Sequence, residues 1–456
     1  MRNSGMLSHT ITGIGDGDVF DNSTALNASL VTDDQRAGLY IFGQNRHRSA
    51  YDHDGDGYSE IPKLHGQTIG FRSFLKTTTY SKLTFEYHHM EEFRRGGDLL
   101  NRPPHEANVA EQTEHSINGG GLKFDYFSPN ENHRFNVFAS AQHINRDSYY
   151  GPGDRDPLDA YGNTTDLNWM AGSQYVYSFG KCIFMPSDLT AGIEFNQDKL
   201  EDNMWGYNRT VDQKVNIGSA FLQNEWKNDH WGFLIGGRLD KHNLIDHVIF
   251  SPRANLRYNP TENINLRFSY SSGFRAPQAF DEDLHVENVG GNVAMVELAD
   301  NLKEERSQSL SASADIYHRF GAFQVNFLVE GFYTKLSDVF ALTDGEVVNG
   351  ILTRTRYNAP GARMMGLTLE GKMAYLTKFQ VQAGVTLQQR HYNEPHVWNP
   401  DAPAVKKMMR TPNTYGYFTA TYTPIKPLSI ALSGTYTGSM LVPHEPVPGF
   451  LEKPIT

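Results

Sequence analysis

What most constrains this chain is a period of two, sustained for longer than a soluble sheet needs. Ile264, Leu266, Phe268 and Tyr270 alternate with Asn265, Arg267 and Ser269. Phe323, Val325, Phe327, Val329, Gly331 and Tyr333 alternate with Gln324, Asn326, Glu330 and Thr334. The stretches Phe379–Leu387 and Leu428–Tyr436 follow the same rule. Successive side chains of a strand point to opposite faces, so each run builds a sheet with one dry and one wet face. The runs last roughly 10–14 residues, against ~5–6 in globular proteins and the ~9–11 that carry a tilted strand across a bilayer.

The connections alternate in length as well. Short turns fall at Thr32–Gln35, Thr77–Tyr80, Ser128–Asn132, Lys227–Asp229, Asn259–Glu262, Arg319–Gly321 and Pro424–Pro427. Between them lie polar loops at about 95–115, 147–165, 277–305, 337–361 and 392–412, long enough to count against a compact soluble domain. Short periplasmic turns with long extracellular loops are the signature of an outer-membrane barrel. The expectation is therefore an all-β, large antiparallel transmembrane barrel of about 18 strands, from near Thr24 to near Met440. Both ends of such a barrel normally sit on the short-turn side, and by that parity a strand is missing at each end. Residues 1–22 are then a remnant of a first strand or outer loop, and 23–456 an incomplete barrel domain. A barrel this wide cannot fill its lumen with side chains, so it holds water, a plug or a ligand path.

Composition removes other classes. No stretch approaches the ~18 uninterrupted apolar residues of a membrane helix. Aromatic residues make up 12% of the chain, too many for a disordered polymer. A net charge of −11 argues against nucleic acid as a partner. Cys182 is the single cysteine, so there is no internal disulfide and no cysteine-rich metal cage. No apolar leader segment follows Met1, which fits a cytoplasmic protein or a missing start; the strand pattern favours the latter. No nucleophile–His–acid set, phosphate-binding glycine loop or zinc spacing stands out, and an enzyme is not expected.

Tyr270-Ser271-Ser272-Gly273-Phe274-Arg275-Ala276-Pro277 ends one strand, and Asp300-Asn301-Leu302-Lys303-Glu304-Glu305-Arg306-Ser307 opens the next. The pair resembles the Phe-Arg-Ala-Pro and Asn-Pro-Asn-Leu-Lys-Pro-Glu boxes of TonB-dependent outer-membrane receptors. The second box departs from the pattern, with Asp300 and Glu304 where prolines are usual. Ala359–Gly361 and Gly366–Glu370 look like a strand entry common in these receptors, and the Asp52–Gly57 and Asp281–His285 stretches resemble members from Bacteroidetes. The resemblance implies a barrel of about 22 strands around an N-terminal plug, with energy supplied by the inner-membrane TonB complex through that plug. Against that pattern, residues 1–456 are expected to lie outside the plug, its coupling motif and the last strands. The implied substrate is a scarce metal chelate, with cobalamin or haem favoured over a ferric siderophore. A substrate-specific porin without a plug and a secreted all-β, calcium-dependent binding protein are the alternatives.

Candidate sites follow. Asp52, Asp54 and Asp56 stand at every second position before Gly57, like the first half of an oxygen-ligand calcium loop, with Glu60 as a further ligand. The twelfth position is Lys63, so a solvated acidic turn is the competing reading. For haem, His285 lies between the two boxes, where the resemblance places a ligand histidine. His88, His89, His391, His396 and His444 also fall in or near outward loops, but with 18 histidines several land there by chance. In the long loops, Tyr149-Tyr150-Gly151 and Trp205-Gly206-Tyr207-Asn208 offer the rings of Tyr149, Tyr150, Trp205 and Tyr207 to a large planar ligand, or anchor the barrel at the lipid interface. Asp154, Asp156 and Asp159 read as solvated loop. Arg94, Arg95 and Arg102 put positive charge near one outer loop, for an anionic chelate or for lipid phosphate. Phe274, Arg275, Ala276, Pro277, Asn301 and Leu302 are the family-box residues, expected to secure the loop base and not to touch ligand.

Overall fold

The computed structural model describes residues 3–15, 17, 19–152, 160–284, 286–289, 292–348, 351–397 and 404–442. The chain opens with β1 (Ser4–Ile14), β2 (Val19–Val31), β3 (Ala37–Arg48), β4 (Ser59–Thr78), β5 (Ser81–Gly97) and β6 (Val109–Phe127). It continues through β7 (His133–Pro152), β8 (Tyr161–Cys182), β9 (Met185–Met204), β10 (Arg209–Lys227), β11 (Trp231–His242), β12 (Ile249–Thr261) and β13 (Ile264–Arg275). The loop after β13 holds α1 (Asp281–Leu284), β14 (Glu287–Val289) and β15 (Asn292–Leu298). β16 (Glu305–Phe320) and β17 (Phe323–Ser337) return to the wall, and β18 (Val339–Val348) and β19 (Ile351–Ala359) fill the next loop. β20 (Ala362–Tyr375), β21 (Phe379–His396), β22 (Val405–Lys407), β23 (Thr414–Ile425) and β24 (Leu428–Thr437) complete the chain.

The wall is one 20-stranded sheet in which consecutive strands pair antiparallel. β13 pairs with β16 and β17 with β20, so the intervening segments stand off the wall. Those segments build a second sheet, β14-β15-β19-β18, in which β15 runs parallel to β19. Strands β4 to β10 are 17–22 residues long. A bilayer crossing takes ~9–11 residues, so about half of each strand continues beyond the membrane at the long-loop end. About half of each of the loops expected at 95–115 and 147–165 is thus wall.

The two faces differ as the alternation requires. Ile193, Leu222, Ile235 and Phe268 point outward and are 63%, 56%, 63% and 46% exposed. Apolar area of this extent is left bare only where lipid covers it. The inward face is polar: Arg238 donates to Glu194 at 2.9 Å and to Asp240 at 2.7 Å, and Ser219 donates to Asp240 at 2.6 Å. At the short-turn end aromatic rings cluster, with Trp231 on Tyr258 at 4.1 Å and Phe323 on Tyr375 at 4.7 Å. That is the interfacial belt of a membrane barrel. The turns there are closed by local side chains. Asp34 accepts from the Thr32 hydroxyl at 2.6 Å and the Arg36 amide at 3.0 Å. These two bonds, the Thr32 one foremost, hold the Asp34 carboxyl below its ordinary range.

Two elements differ from the sequence expectation. Ser4–Ile14 forms a strand paired with β2 throughout, one strand earlier than the start expected near Thr24. Its apolar set, Leu7 and Ile11, is diluted by serine, threonine and glycine, which hides the period. Trp205–Asn208 is not a long loop but a tight turn between β9 and β10, with Asn208 in the left-handed region at φ +48°. Asparagine tolerates that conformation better than most residues.

Candidate functional site

The β3–β4 loop brings its four acidic residues together. Asp52, Asp54, Asp56 and Glu60 each offer an oxygen, and these lie within 4.8 Å of one another. Asp52 accepts from the amides of Gly55 and Gly57 at 2.7 and 2.8 Å, Asp56 from Tyr58 at 2.8 Å, and Glu60 from His53 at 2.6 Å. Gly55 and Gly57 take φ values of +80° and +90°, which curl the backbone back on itself at positions where a Cβ is disfavoured. A bridge between Tyr51 and Ile61 closes the loop. Lys63 is turned away, its ammonium 5.9 Å from the Phe93 ring centroid. The donor set is all oxygen, which suits a hard cation such as calcium.

The second feature is a cap at the long-loop end, made by α1 and the second sheet. It reaches from β13 across to β6–β10, where Val286 and Met295 pack on Ala110, Tyr149, Tyr150, Ala160, Met204 and Tyr207. A buried ionic network bolts it to the inner wall. Arg209 of β10 donates to the carbonyls of Asp283 and Leu284 at 3.1 and 2.8 Å and to Asp202 of β9 at 2.8 Å. Asp202 also accepts from Thr164 at 2.6 Å and lies 3.8 Å from Arg146. Asp283 pairs with Arg356 of β19 at 2.5 Å, tying the two cap segments together. Asp202 is fully buried, and Arg209 and Asp283 are 7% and 3% exposed. Gln213 adds a two-way bond to the Ala279 backbone at 2.7 and 3.2 Å.

The family-box residues sit at the base of this cap. Phe274 packs against Ile245, Ile249 and Ala276. The Arg275 guanidinium lies 3.9 Å from the Phe280 ring centroid and 5.6 Å from that of Phe340, and Arg356 lies 5.8 Å from both. These cation–π contacts join the β13–β16 and β17–β20 loops. Pro277 follows at the start of the loop, and Asn301 and Leu302 form the turn into β16, where the Leu302 amide donates to Ala299 at 3.1 Å. Glu304, standing where the family has proline, pairs with Arg306 at 2.7 Å and His247 at 3.1 Å. Burial works to raise its carboxyl, but the Arg306 hydrogen bond and the nearby positive charges outweigh that, and its pKa is lowered.

The aromatic residues expected to meet ligand divide. Tyr149, Tyr150 and Tyr207 are 3%, 7% and 4% exposed and belong to the packed seat of the cap, so they offer no ring face to a ligand. Trp205 is 63% exposed. Arg95 is 2% exposed and donates to the Asp98 carbonyl at 3.1 Å, and Arg94 pairs with Glu92 at 2.7 Å, so neither stands free for an anionic partner. His88 and His89, expected at a strand's outer end, lie in the middle of β5. His285, His444, Asp154, Asp156 and Asp159 fall outside the described residues. The residues that sequence reasoning missed are Asp202, Arg209, Asp283 and Arg356. The one local signal was an aspartate and an arginine flanking the Trp205–Asn208 turn.

The family model described as TonB dependent receptor-like, beta-barrel, matches residues 8–450. Among curated proteins no sequence matches the chain. In solved structures, the siderophore receptor PirA from Acinetobacter baumannii is similar at a TM-score of 0.73 and 14% identity, over 95% of this chain and 68% of that one. The ferric enterobactin receptor PfeA from Pseudomonas aeruginosa, solved in complex with BCV-L6, gives 0.77 and 13%, over 96% and 69%. The alcaligin outer-membrane receptor FauA from Bordetella pertussis gives 0.62 and 12%, over 96% and 68%. At such identities these likenesses speak for the fold alone. Matched by the family's model over nearly its whole length, and built as the long-stranded antiparallel wall described above, the chain belongs to the family of TonB-dependent receptor β-barrels.

Proposed function

We propose that this chain is the barrel of an outer-membrane receptor that takes up a ferric siderophore, with the energy coming from the inner-membrane TonB complex through a plug. The family match over residues 8–450 carries the reading. The chelate class is supported by the similar structures, which are named as a siderophore receptor, a ferric enterobactin receptor and an alcaligin receptor. Cobalamin and haem, favoured by the sequence, have no counterpart among these relatives. In this reading the outer loops capture the chelate at the mouth, and the cap must shift for it to enter. The polar inner wall then gives a wet path inward.

The receptor containing this barrel, purified in detergent, is expected to bind a ferric catecholate or ferric hydroxamate tightly by calorimetry, and cyanocobalamin and haemin weakly or not at all. Tight binding of cyanocobalamin or haemin alone would reverse the choice of chelate. Binding of none of them would return the porin alternative.

A second proposal concerns the 52–60 loop, which we take as a calcium site on the strength of four oxygens within 4.8 Å. Titration with calcium is expected to give one site, lost in Asp52→Asn/Asp54→Asn, with no change in the barrel's unfolding. An unchanged heat signal in that variant would remove the site.

A further inference from the structure

Several lumen-facing rings sit directly opposite a glycine on the neighbouring strand. Tyr417 of β23 pairs in register with Gly384 of β21. A Cβ built on Gly384 would stand 2.7 Å from the Tyr417 ring, which supplies its three nearest atoms. The Tyr417 hydroxyl donates to Glu370 of β20, one strand further on, and accepts from Gln382 at 2.6 Å. Neighbouring strands are about 4.8 Å apart. A ring that starts on β23 and ends at a β20 side chain therefore lies along the wall, across the bare backbone of Gly384.

The device recurs around the barrel. His88 of β5 faces Gly119 of β6, where a Cβ would fall 2.5 Å from the imidazole, its nearest neighbour. Phe42 faces Gly70, and Phe221 faces Gly192, with Cβ-to-ring distances of 2.4 and 2.3 Å. These positions alternate with outward residues such as Ile69 and Ile193, 62% and 63% exposed, which places the pairs on the inner face. Glycine weakens a strand and gives up a packing side chain. Its use opposite an aromatic sets the ring's posture on whichever face it occurs, the outer one included at Gly434 and Phe418: beside any other residue the ring would have to stand away from the wall.

We propose that these cross-strand aromatic–glycine pairs set the free bore at the barrel's waist, holding bulky rings flat on the inner wall so that a large solute can pass. The inference rests on the barrel serving as a passage and not on which chelate it takes. The test is single-channel conductance of this chain in planar lipid bilayers, which needs no siderophore. Its failure is thus separable from failure of the chelate assignment. Gly384→Val and Gly119→Val are expected to lower conductance, and more so together, while heat-modifiable gel mobility stays as in the wild type. Adding Tyr417→Ala to Gly384→Val restores the conductance. Tyr417→Ala and His88→Ala alone leave it near the wild-type value, because those rings already lie out of the bore. This second pair decides the matter even if a valine variant fails to fold. A clear rise in conductance on removing a ring alone would overturn the proposal, since the ring would then project into the lumen. So would unchanged conductance in a folded valine variant, or a wild-type chain that forms no pore.

Discussion

Ile193→Arg is expected to destabilise the membrane-inserted protein by about 1–3 kcal/mol, the cost of a guanidinium on a barrel's lipid face between the bilayer midplane and the outer interface. Ile193 stands in the middle of β9 and is 63% exposed. In a water-soluble sheet the same change would replace an exposed apolar group with a hydrated one and shift stability by no more than about 0.5 kcal/mol. Asn196, on the inward face of the same strand, provides the internal control. Asn196→Arg faces the wet lumen and is expected to be close to neutral. Urea unfolding from lipid vesicles reads both. A large loss at position 193 with little change at 196 assigns the two faces, whereas equal effects would mean that the face assignment is wrong.

The second large effect lies at the cap. Arg209→Leu removes the guanidinium that donates to Asp202 and to the Asp283 and Leu284 carbonyls. Asp202 is left fully buried, with Thr164 and, 3.8 Å away, Arg146. Breaking a buried ion pair by removing one partner costs about 3–5 kcal/mol, and Asp202 keeps only the Thr164 hydroxyl and the more distant Arg146 to offset its charge. The loss should be local. Hydrogen exchange in 279–284 is expected to quicken, while the strands below keep their protection, since proteins open in units smaller than the whole. Asp202→Leu/Arg209→Leu should recover part of the stability but not the cap's protection, because the bonds to its carbonyls remain absent. Unchanged exchange in the single variant would mean that Arg209 does not anchor the cap.

How far the sequence revealed this molecule follows from the range of the interactions involved. The Ile264–Tyr270 and Phe323–Tyr333 alternations are properties of neighbouring residues, and so are turns closed by Asp34 or Asn228. Both were therefore legible, together with the fold class. The Asp52–Glu60 cluster is equally local, and the structure gathers the four residues named from spacing. The cap is not local. Arg209 meets Asp283 across 74 positions, and β15 finds β19 in a parallel register that no adjacent pattern announces. For the same reason the burial of Tyr149, Tyr150 and Tyr207 was hidden: their cover, Val286 and Met295, comes from a distant loop. Arg275 was marked by its family box, but its contact with Phe280 and Phe340 emerges only once two loops meet.

The central claim is that this chain folds into a lipid-facing receptor barrel, and its most direct test is where the folded protein resides. Refolded in the presence of phospholipid vesicles, it should float with the lipid and run on a gel with different mobility before and after heating. The aromatic belt at the short-turn end, Trp231 and Tyr258 among it, should be quenched by lipid carrying a label near the headgroups. A folded monomer that stays in detergent-free buffer, with tryptophans insensitive to labelled lipid, would contradict the account.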